Sequence, residues 1–230
     1  MKINADFTQR VVVHSAQMDW LDSPMAGVSR RPLDRVGAEV ARATTIVKYD
    51  SGSHFSPHVH TGGEEFVVLE GVFQDEHGDF PEGSYIRNPP QSSHTPGSES
   101  GCVIFVKLWQ FDPKDRTHVR LNSNFMQPVE SAQQPGIDIT PLYKDAREEV
   151  CIQSWKPNSK VFIPLDHGIE VLVLEGQFDE ADDTLVKHSW LRLPAGQDLN
   201  AVSGPSGAKV WIKMNHLADV DQQVALVEAG

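Results

Sequence analysis

The stretch Gly52–Gly71 contains the side chains best suited to chemistry, because His58 and His60 are followed by Glu64 and then by an apolar run. Side chains at positions i and i+2 of an extended chain point to the same face, so the two imidazoles are predicted to converge on one point. Imidazole and carboxylate groups are ligands for Zn, Fe, Mn, Ni or Cu, but two histidines from one strand make only half of a site. A return strand is expected to complete it, and His94 is the best candidate there.

The same stretch resembles the cupin family. The first motif of that family, G-x5-H-x-H-x3-E-x6-G, is met at every fixed position, and the second, G-x5-P-x-G-x2-H-x3-N, is met at Gly83, Pro89 and His94. Gln91 replaces the inner glycine and Ser98 the asparagine, which concerns turn geometry and leaves the ligands intact. In the family, the matching residues bind one divalent metal inside a small antiparallel barrel. The ligands implied here are His58, His60, Glu64 and His94.

Residues from about Trp20 to Gln110 look like the ChrR-type cupin in particular, best known as the C-terminal sensory part of a zinc-binding anti-sigma factor. This resemblance implies a regulatory module for oxidative stress with a sigma factor as its partner. The zinc motif of the N-terminal domain in that family, His-x3-Cys-x2-Cys, is absent from this sequence. Related stand-alone cupins include non-haem iron dioxygenases that cleave diketones or hydroxyacetophenones. A sensory module and an enzyme for a small-molecule ligand are therefore both open.

The predicted cofactor is one divalent transition metal. The Irving–Williams order favours Zn over Fe(II) and Mn, so we expect Zn or Ni in the isolated protein, with Fe, Mn or Ni as alternatives for the native ion. A closed four-coordinate Zn would indicate a structural or sensing role. Open coordination positions in an apolar cavity would indicate catalysis.

The bulk properties of the 230 residues predict a globular protein of the cytoplasm. The net charge of −12 makes a nucleic acid an unfavourable partner, and no apolar run has the length of about 18 residues that would indicate a membrane span. The N-terminus lacks the apolar core of a signal peptide. Cys102 and Cys151 cannot form a disulfide framework, and each is expected to be a small core residue, with a redox-sensing thiol as the alternative.

An internal repeat determines the predicted architecture. The sequence EFVVLEGVF at 65–73 recurs as EVLVLEGQF at 170–178, and SYIRNP at 84–89 recurs with the same shift as SWLRLP at 189–194. Together with many short strands between glycines and prolines, the repeat predicts an all-β chain of two tandem cupin barrels, of the double-stranded β-helix or jelly-roll type. The expected divisions are a metal-binding barrel at 1–115, a linker at 116–134 and a degenerate barrel without metal ligands at 135–230. Homodimerisation is left open.

The second copy serves as an internal control. The positions of His58 and His60 fall on Ile163 or Pro164 and on Leu165 or Asp166, while His94 falls on Leu199. Glu64 aligns with Glu170 only if a gap is placed after it. A single metal per chain is therefore predicted. Features that both copies share are expected to serve the fold, including positive φ at Gly71 and Gly176 and a structural ion pair for Arg87, whose twin is Arg192.

Overall fold

The structure is a computed structural model that describes residues 1–38 and 40–229. Strands form most of it, as the all-β prediction requires, and none of the helices in these residues has the length and hydropathy needed to cross a membrane. The first strands in chain order are β1 (Lys2–Ile3), β2 (Val11–His14), β3 (Leu21–Asp22), β4 (Val28–Gly37), β5 (Ala41–Tyr49), β6 (Ser53–His54), β7 (His58–Val59), β8 (Glu64–Asp75), β9 (Gly78–Pro81), β10 (Ser84–Asn88), β11 (Ser93–His94), β12 (Gly97–Ser98), β13 (Cys102–Leu108) and β14 (Val119–Asn122).

The rest of the chain repeats this arrangement and then adds a helix. Its strands are β15 (Val129–Glu130), β16 (Ile137–Lys144), β17 (Glu149–Trp155), β18 (Lys160–Ile163), β19 (Ile169–Glu180), β20 (Asp183–Val186), β21 (Ser189–Leu193) and β22 (Leu199–Met214). Within the described residues, the helical segments are two short 3-10 turns, Ser15–Gln17 and Ser123–Phe125, and the helix α1 (Val220–Ala229).

The chain forms two compact units, and each takes in a segment from the far end of the sequence. Unit 1 contains Met1–Ala5, Asp19–Phe125 and the residues from Asp221 onward, whereas unit 2 contains Asp6–Met18 and Met126–Val220. The units therefore differ from the contiguous divisions that the sequence suggests. The physical reason is strand pairing: β2 lies antiparallel to β21 and extends the sheet of unit 2.

The segment 116–134, expected to be a linker, also contributes strands to both units. Its first part forms β14, which pairs with β10 in unit 1, and its last part forms β15, which pairs with β16 in unit 2. Strand pairing uses backbone N–H and C=O groups, so a polar segment without alternating side chains can still add to a sheet edge.

In unit 1, the main sheet has the order β1-β4-β5-β13-β8-β10-β14, and β7 pairs separately with β11. The inner side chains of its central strands form a buried apolar cluster that includes Phe66, Val68 and Ile104. Such β-branched and aromatic side chains favour strands and pack well across a pleated sheet. The separate pair of β7 and β11 carries His58 and His94.

In unit 2, the sheet order β15-β16-β17-β22-β19-β21-β2 reproduces the central part of the first sheet. The predicted positive φ values at the repeated glycines are confirmed, at 73° for Gly71 and 71° for Gly176. A Cβ atom at Gly71 would overlap the carbonyl oxygen of Gly101, and one at Gly176 would overlap that of Gly207. Both positions thus need glycine for space as well as for conformation.

A buried row of charged side chains recurs at the same register in each unit. In unit 1, Glu65 lies opposite Arg87 on one neighbouring strand and opposite Lys107 on the other, and all three are at most 1% exposed. The Arg87 guanidinium also pairs with Asp115 at 3.1 Å and stacks over the Phe111 ring. The structure thus contains the ion pair predicted for Arg87.

In unit 2, the row consists of Arg192, Glu170 and Lys213, all completely buried. Because unit 2 has this row without the histidine cluster of unit 1, the charged row belongs to the fold.

Both cysteines are buried core residues without a disulfide. Burial raises the pKa of the Cys102 thiol to about 11 and that of the Cys151 thiol to about 12, so both are protonated at neutral pH. A redox-sensing thiol needs exposure and a lowered pKa, and neither cysteine has them.

Candidate metal centre

Three histidines converge at one edge of unit 1. The strands β7 and β11 pair so that His58 lies opposite His94, and His60 follows β7 directly. One nitrogen from each ring lies within 4.8 Å of the others, and the ring centroids are 4.6 to 5.0 Å apart. His60 and His94 are buried, whereas His58 is exposed. The i, i+2 spacing and the return strand thus produce the convergence that the sequence predicts.

Hydrogen bonds determine the tautomers of these rings. Nδ1 of His58 faces the carbonyl oxygen of Ser56 at 3.4 Å, and Nδ1 of His94 faces a carboxylate oxygen of Asp75 at 3.3 Å, so both nitrogens donate to groups that can only accept. Nδ1 of His60 lies 3.1 Å from the Ser92 hydroxyl, which already donates its proton to the Pro89 carbonyl. Each Nδ1 therefore has a protein acceptor, which leaves the lone pair of each Nε2 for another ligand.

The fourth predicted ligand, Glu64, lies beside two of these rings. Its Oε2 is 3.2 Å from Nε2 of His60 and 3.6 Å from Nε2 of His94, and Asn88 donates to the same oxygen. Burial alone would raise the pKa of this carboxyl group, but His60 and the other two imidazoles outweigh burial and lower the pKa to about 2. Glu64 is therefore ionised at neutral pH and offers a negative oxygen to the cluster.

The cluster fits a divalent transition metal. Among the described residues, Nε2 of His60 and Nε2 of His94 are buried without a hydrogen-bond partner. A buried nitrogen lone pair without a donor is costly unless another group satisfies it. Three imidazoles and one carboxylate are a donor set that suits Zn, Fe, Mn, Ni or Cu. The donor set does not distinguish these ions.

Asp75 orients His94, and sequence reasoning missed it. Its side chain is 1% exposed and accepts from the ring nitrogen of His94 that faces away from the cluster. Glu64 and Asp75 are eleven positions apart on β8, which would place them on opposite faces of a regular strand. The register with β13 skips Leu69, and this bulge restores a common face. No local signal in the sequence marks the bulge.

Asp75→Asn is expected to weaken metal binding about 10- to 100-fold, because an amide holds the imidazole less firmly and does not increase its basicity. The measurement is the metal dissociation constant by competition with a chelating dye. Asp79→Asn is the matched control, since Asp79 is an exposed carboxylate in the same hairpin. Equal affinities for the Asp75→Asn variant and the wild type would show that Asp75 does not position the ligand. The melting temperature of the metal-free variant is expected to stay close to that of the wild type.

Unit 2 has aliphatic side chains where unit 1 has the cluster. Ile163 pairs with Leu199 in the register in which His58 pairs with His94, which resolves the alignment in favour of Ile163. Glu170 matches Glu65 in register, so the counterpart of Glu64 is Ile169 and the alignment of Glu64 with Glu170 is wrong. The residues at the four positions, all buried in the apolar core of unit 2, are Ile163, Leu165, Ile169 and Leu199.

A cavity of about 340 Å³ adjoins the cluster within unit 1. Its wall includes His58, His60 and Glu64 together with apolar side chains such as Val47 and Ile104. This size and mixed lining are typical of small-molecule sites. The cluster thus faces enclosed space that a ligand can enter.

Comparisons with known proteins agree with this architecture. Residues 8–112 match the family model of the ChrR cupin-like domain. No curated protein matches the chain at a significant level of sequence similarity. Solved structures that resemble the chain include a "putative dioxygenase" from Nostoc punctiforme PCC 73102, with a TM-score of 0.76 and 16% identity over 89% of this chain and 82% of that one.

Two further structures have the same fold. The bacterial pirin YhhW from Escherichia coli in complex with nickel(II) has a TM-score of 0.65 and 12% identity, over 90% of this chain and 98% of that one. The oxalate decarboxylase OxdC from Bacillus subtilis, in a mutant form, has a TM-score of 0.62 and 10% identity, over 89% of this chain and 76% of that one. At these identities the likeness establishes the fold alone. The chain therefore has the fold of these cupin structures, and its residues 8–112 are similar to the ChrR cupin-like domain.

Proposed function

We propose that the chain is a metal-dependent oxidoreductase that uses dioxygen to cleave a small enolisable ketone in the cavity of unit 1. The observation that carries the proposal is that two of the clustered histidines, His58 and His60, form part of the cavity wall together with Glu64. A structural zinc site is closed by protein ligands, whereas a catalytic site leaves a position that faces its substrate. Because His58 is exposed and lines the cavity, a bound molecule can reach the centre.

A metal ion held by these side chains supplies a Lewis acid for the substrate oxygen and, as Fe(II), a reductant for dioxygen. The residues of the chain perform the other tasks. Asp75 and Ser92 hold His94 and His60 in fixed orientations, and the apolar wall excludes water. The ionised Glu64 either stays as a ligand or accepts the proton that an enolisable ketone loses. For a β-diketone, both atoms of dioxygen enter the products. One C–C bond breaks, and a carboxylic acid and a 2-oxoaldehyde form.

The structural neighbours support this proposal only as examples of the chemistry that proteins with this fold perform. One is described as a "putative dioxygenase", one is an oxalate decarboxylase and one was solved with nickel(II). Metal-dependent chemistry on small organic molecules is therefore compatible with the fold. The residues of this chain carry the rest of the argument.

The test is oxygen uptake by the full chain after anaerobic reconstitution with Fe(II), with β-diketones and aryl ketones as substrates. We expect repeated turnover by the wild type and none by His94→Ala. His167→Ala is the matched control, because this exposed histidine of unit 2 lies outside the cluster. Absence of substrate-dependent uptake with Fe(II), Mn(II) and Ni(II) would refute an oxygenase function.

A regulatory function is the second candidate, and the match of residues 8–112 to the ChrR cupin-like domain favours it. In that case the cluster would hold Zn, and a sigma factor would be the partner. The number of turnovers separates the two candidates. A sensor consumes no oxygen catalytically, whereas an enzyme consumes many equivalents for each chain.

A further inference from the structure

Two arginines line the same cavity as His58 and His60. Arg30 and Arg35 are both on β4 and both half-buried. Five positions separate them, which would place them on opposite faces of a regular strand. The register between β4 and β5 skips Leu33, and this bulge turns both side chains to the cavity face. The only carboxylate among the described lining residues is Glu64, so the cavity has more positive than negative charge before any metal ion is counted.

These guanidinium groups are not neutralised by the described parts of the chain. Within residues 1–38 and 40–229, neither Arg30 nor Arg35 forms an ion pair with a carboxylate, and Arg35 donates only to the carbonyl oxygen of Ala38. Burial, and to a smaller extent the charge of Arg30, lower the pKa of Arg35. A pair of half-buried cations that repel each other is stabilised when an anion binds between them.

Unit 2 shows that the fold does not need this arrangement. The counterpart of Arg30, read from the register of the first two long strands, is Ile139, which packs against the apolar core. The counterpart of Arg35 is Lys144, which pairs with Glu149 on the neighbouring strand, whereas unit 1 has Ala43 at that position. Unit 2, which lacks the histidine cluster, thus has an apolar residue at one of the two arginine positions and an ion-paired lysine at the other.

Tyr49 is a further polar residue in the cavity of the two arginines. It lines the same cavity, and its pKa is raised by burial and by the charge of Glu64, while Arg30 acts in the opposite direction. Its hydroxyl group therefore stays protonated at neutral pH. A protonated phenol is a hydrogen-bond donor that suits a ligand oxygen.

We propose that Arg30 and Arg35 form a carboxylate-binding subsite, so that the ligand of this cavity is a small organic acid with an apolar body. The carboxylate group lies against the two guanidinium groups, the body contacts side chains such as Val47, and an oxygen at the other end faces the histidine cluster. The inference rests on the proposed function for the part of the ligand that faces the metal. It adds that the substrate is a keto acid.

The test is calorimetric titration of the metal-loaded full chain with benzoate and with benzamide, its uncharged counterpart of similar shape, at constant ionic strength. We expect benzoate to bind at least about tenfold more tightly than benzamide, since a charged donor pair recognises the carboxylate. Arg30→Gln should remove most of this preference, and Arg30→Lys should keep part of it. Arg31→Gln is the matched control, because Arg31 is the next residue on the strand and stacks over Trp20 outside the cavity lining.

Three results would overturn the subsite: absence of saturable benzoate binding, equal affinity for benzoate and benzamide, or an equal loss of benzoate affinity in Arg30→Gln and Arg31→Gln. Tighter binding of inorganic phosphate than of benzoate would make the ligand a phosphate compound and the carboxylate assignment wrong. Repeating the titration after chelation separates this inference from the proposed function. Preference for benzoate that depends on Arg30 in the metal-free chain supports the subsite even if the metal-loaded chain consumes no oxygen.

Discussion

Titration of the metal-free chain with Zn²⁺ is expected to saturate at about one equivalent. His60→Ala and His94→Ala should each weaken this binding more than about 100-fold, because loss of a ligand exceeds the 10- to 100-fold effect of losing its orienting partner. Both rings are buried with Nε2 directed at the cluster, so their loss leaves a donor position that exposed side chains cannot fill. The measurement is competition with a chelating dye, with metal content determined by elemental analysis.

The second unit explains the stoichiometry. The side chains Ile163, Leu165, Ile169 and Leu199 offer no donor atom at the positions that correspond to the cluster. His167→Ala should therefore bind metal as the wild type does. Tight binding of a second equivalent, or a loss of affinity in His167→Ala, would mean that unit 2 has a metal site of its own.

Replacing Glu170 by Ala is expected to destabilise unit 2 by about 3 to 5 kcal/mol, the usual cost of removing one partner from a buried set of charges. Glu170 is completely buried and accepts from Nε2 of His216 at 2.8 Å and from Nε1 of Trp190 at 3.1 Å. It also lies between Arg192 and Lys213 in the sheet. Without its carboxylate, these donors and cations stay buried with less compensating charge. Urea denaturation followed by circular dichroism gives the change in free energy of unfolding.

Glu175→Ala is the matched control on the same strand. Glu175 pairs with Lys209 at 3.3 Å, but its side chain is 70% exposed, and such surface pairs contribute about 0 to 1 kcal/mol. If the two variants lost similar stability, the buried row would not be the stabilising feature that its recurrence in both units indicates. Hydrogen exchange should locate the loss for Glu170→Ala in β19, β21 and β22.

The features of this protein that depend on local spacing can be predicted from the order of its residues. The i, i+2 relation of His58 and His60 fixes their common face in any extended chain. The repeat of one sequence pattern gave the two units, because similar patterns of apolar residues and glycines select the same strands and turns.

Which distant residues share a face, and which strands share a sheet, depends on strand register and pairing in the folded chain. A single-residue bulge moves every later side chain of a strand to the other face, and such bulges bring Asp75 to the face of Glu64 and Arg35 to that of Arg30. Sequence periodicity cannot locate a bulge, since the extra residue is defined by the register with the partner strand. The pairing of β2 with β21 in unit 2 is also not marked in the sequence. Backbone pairing at a sheet edge needs no particular side chains.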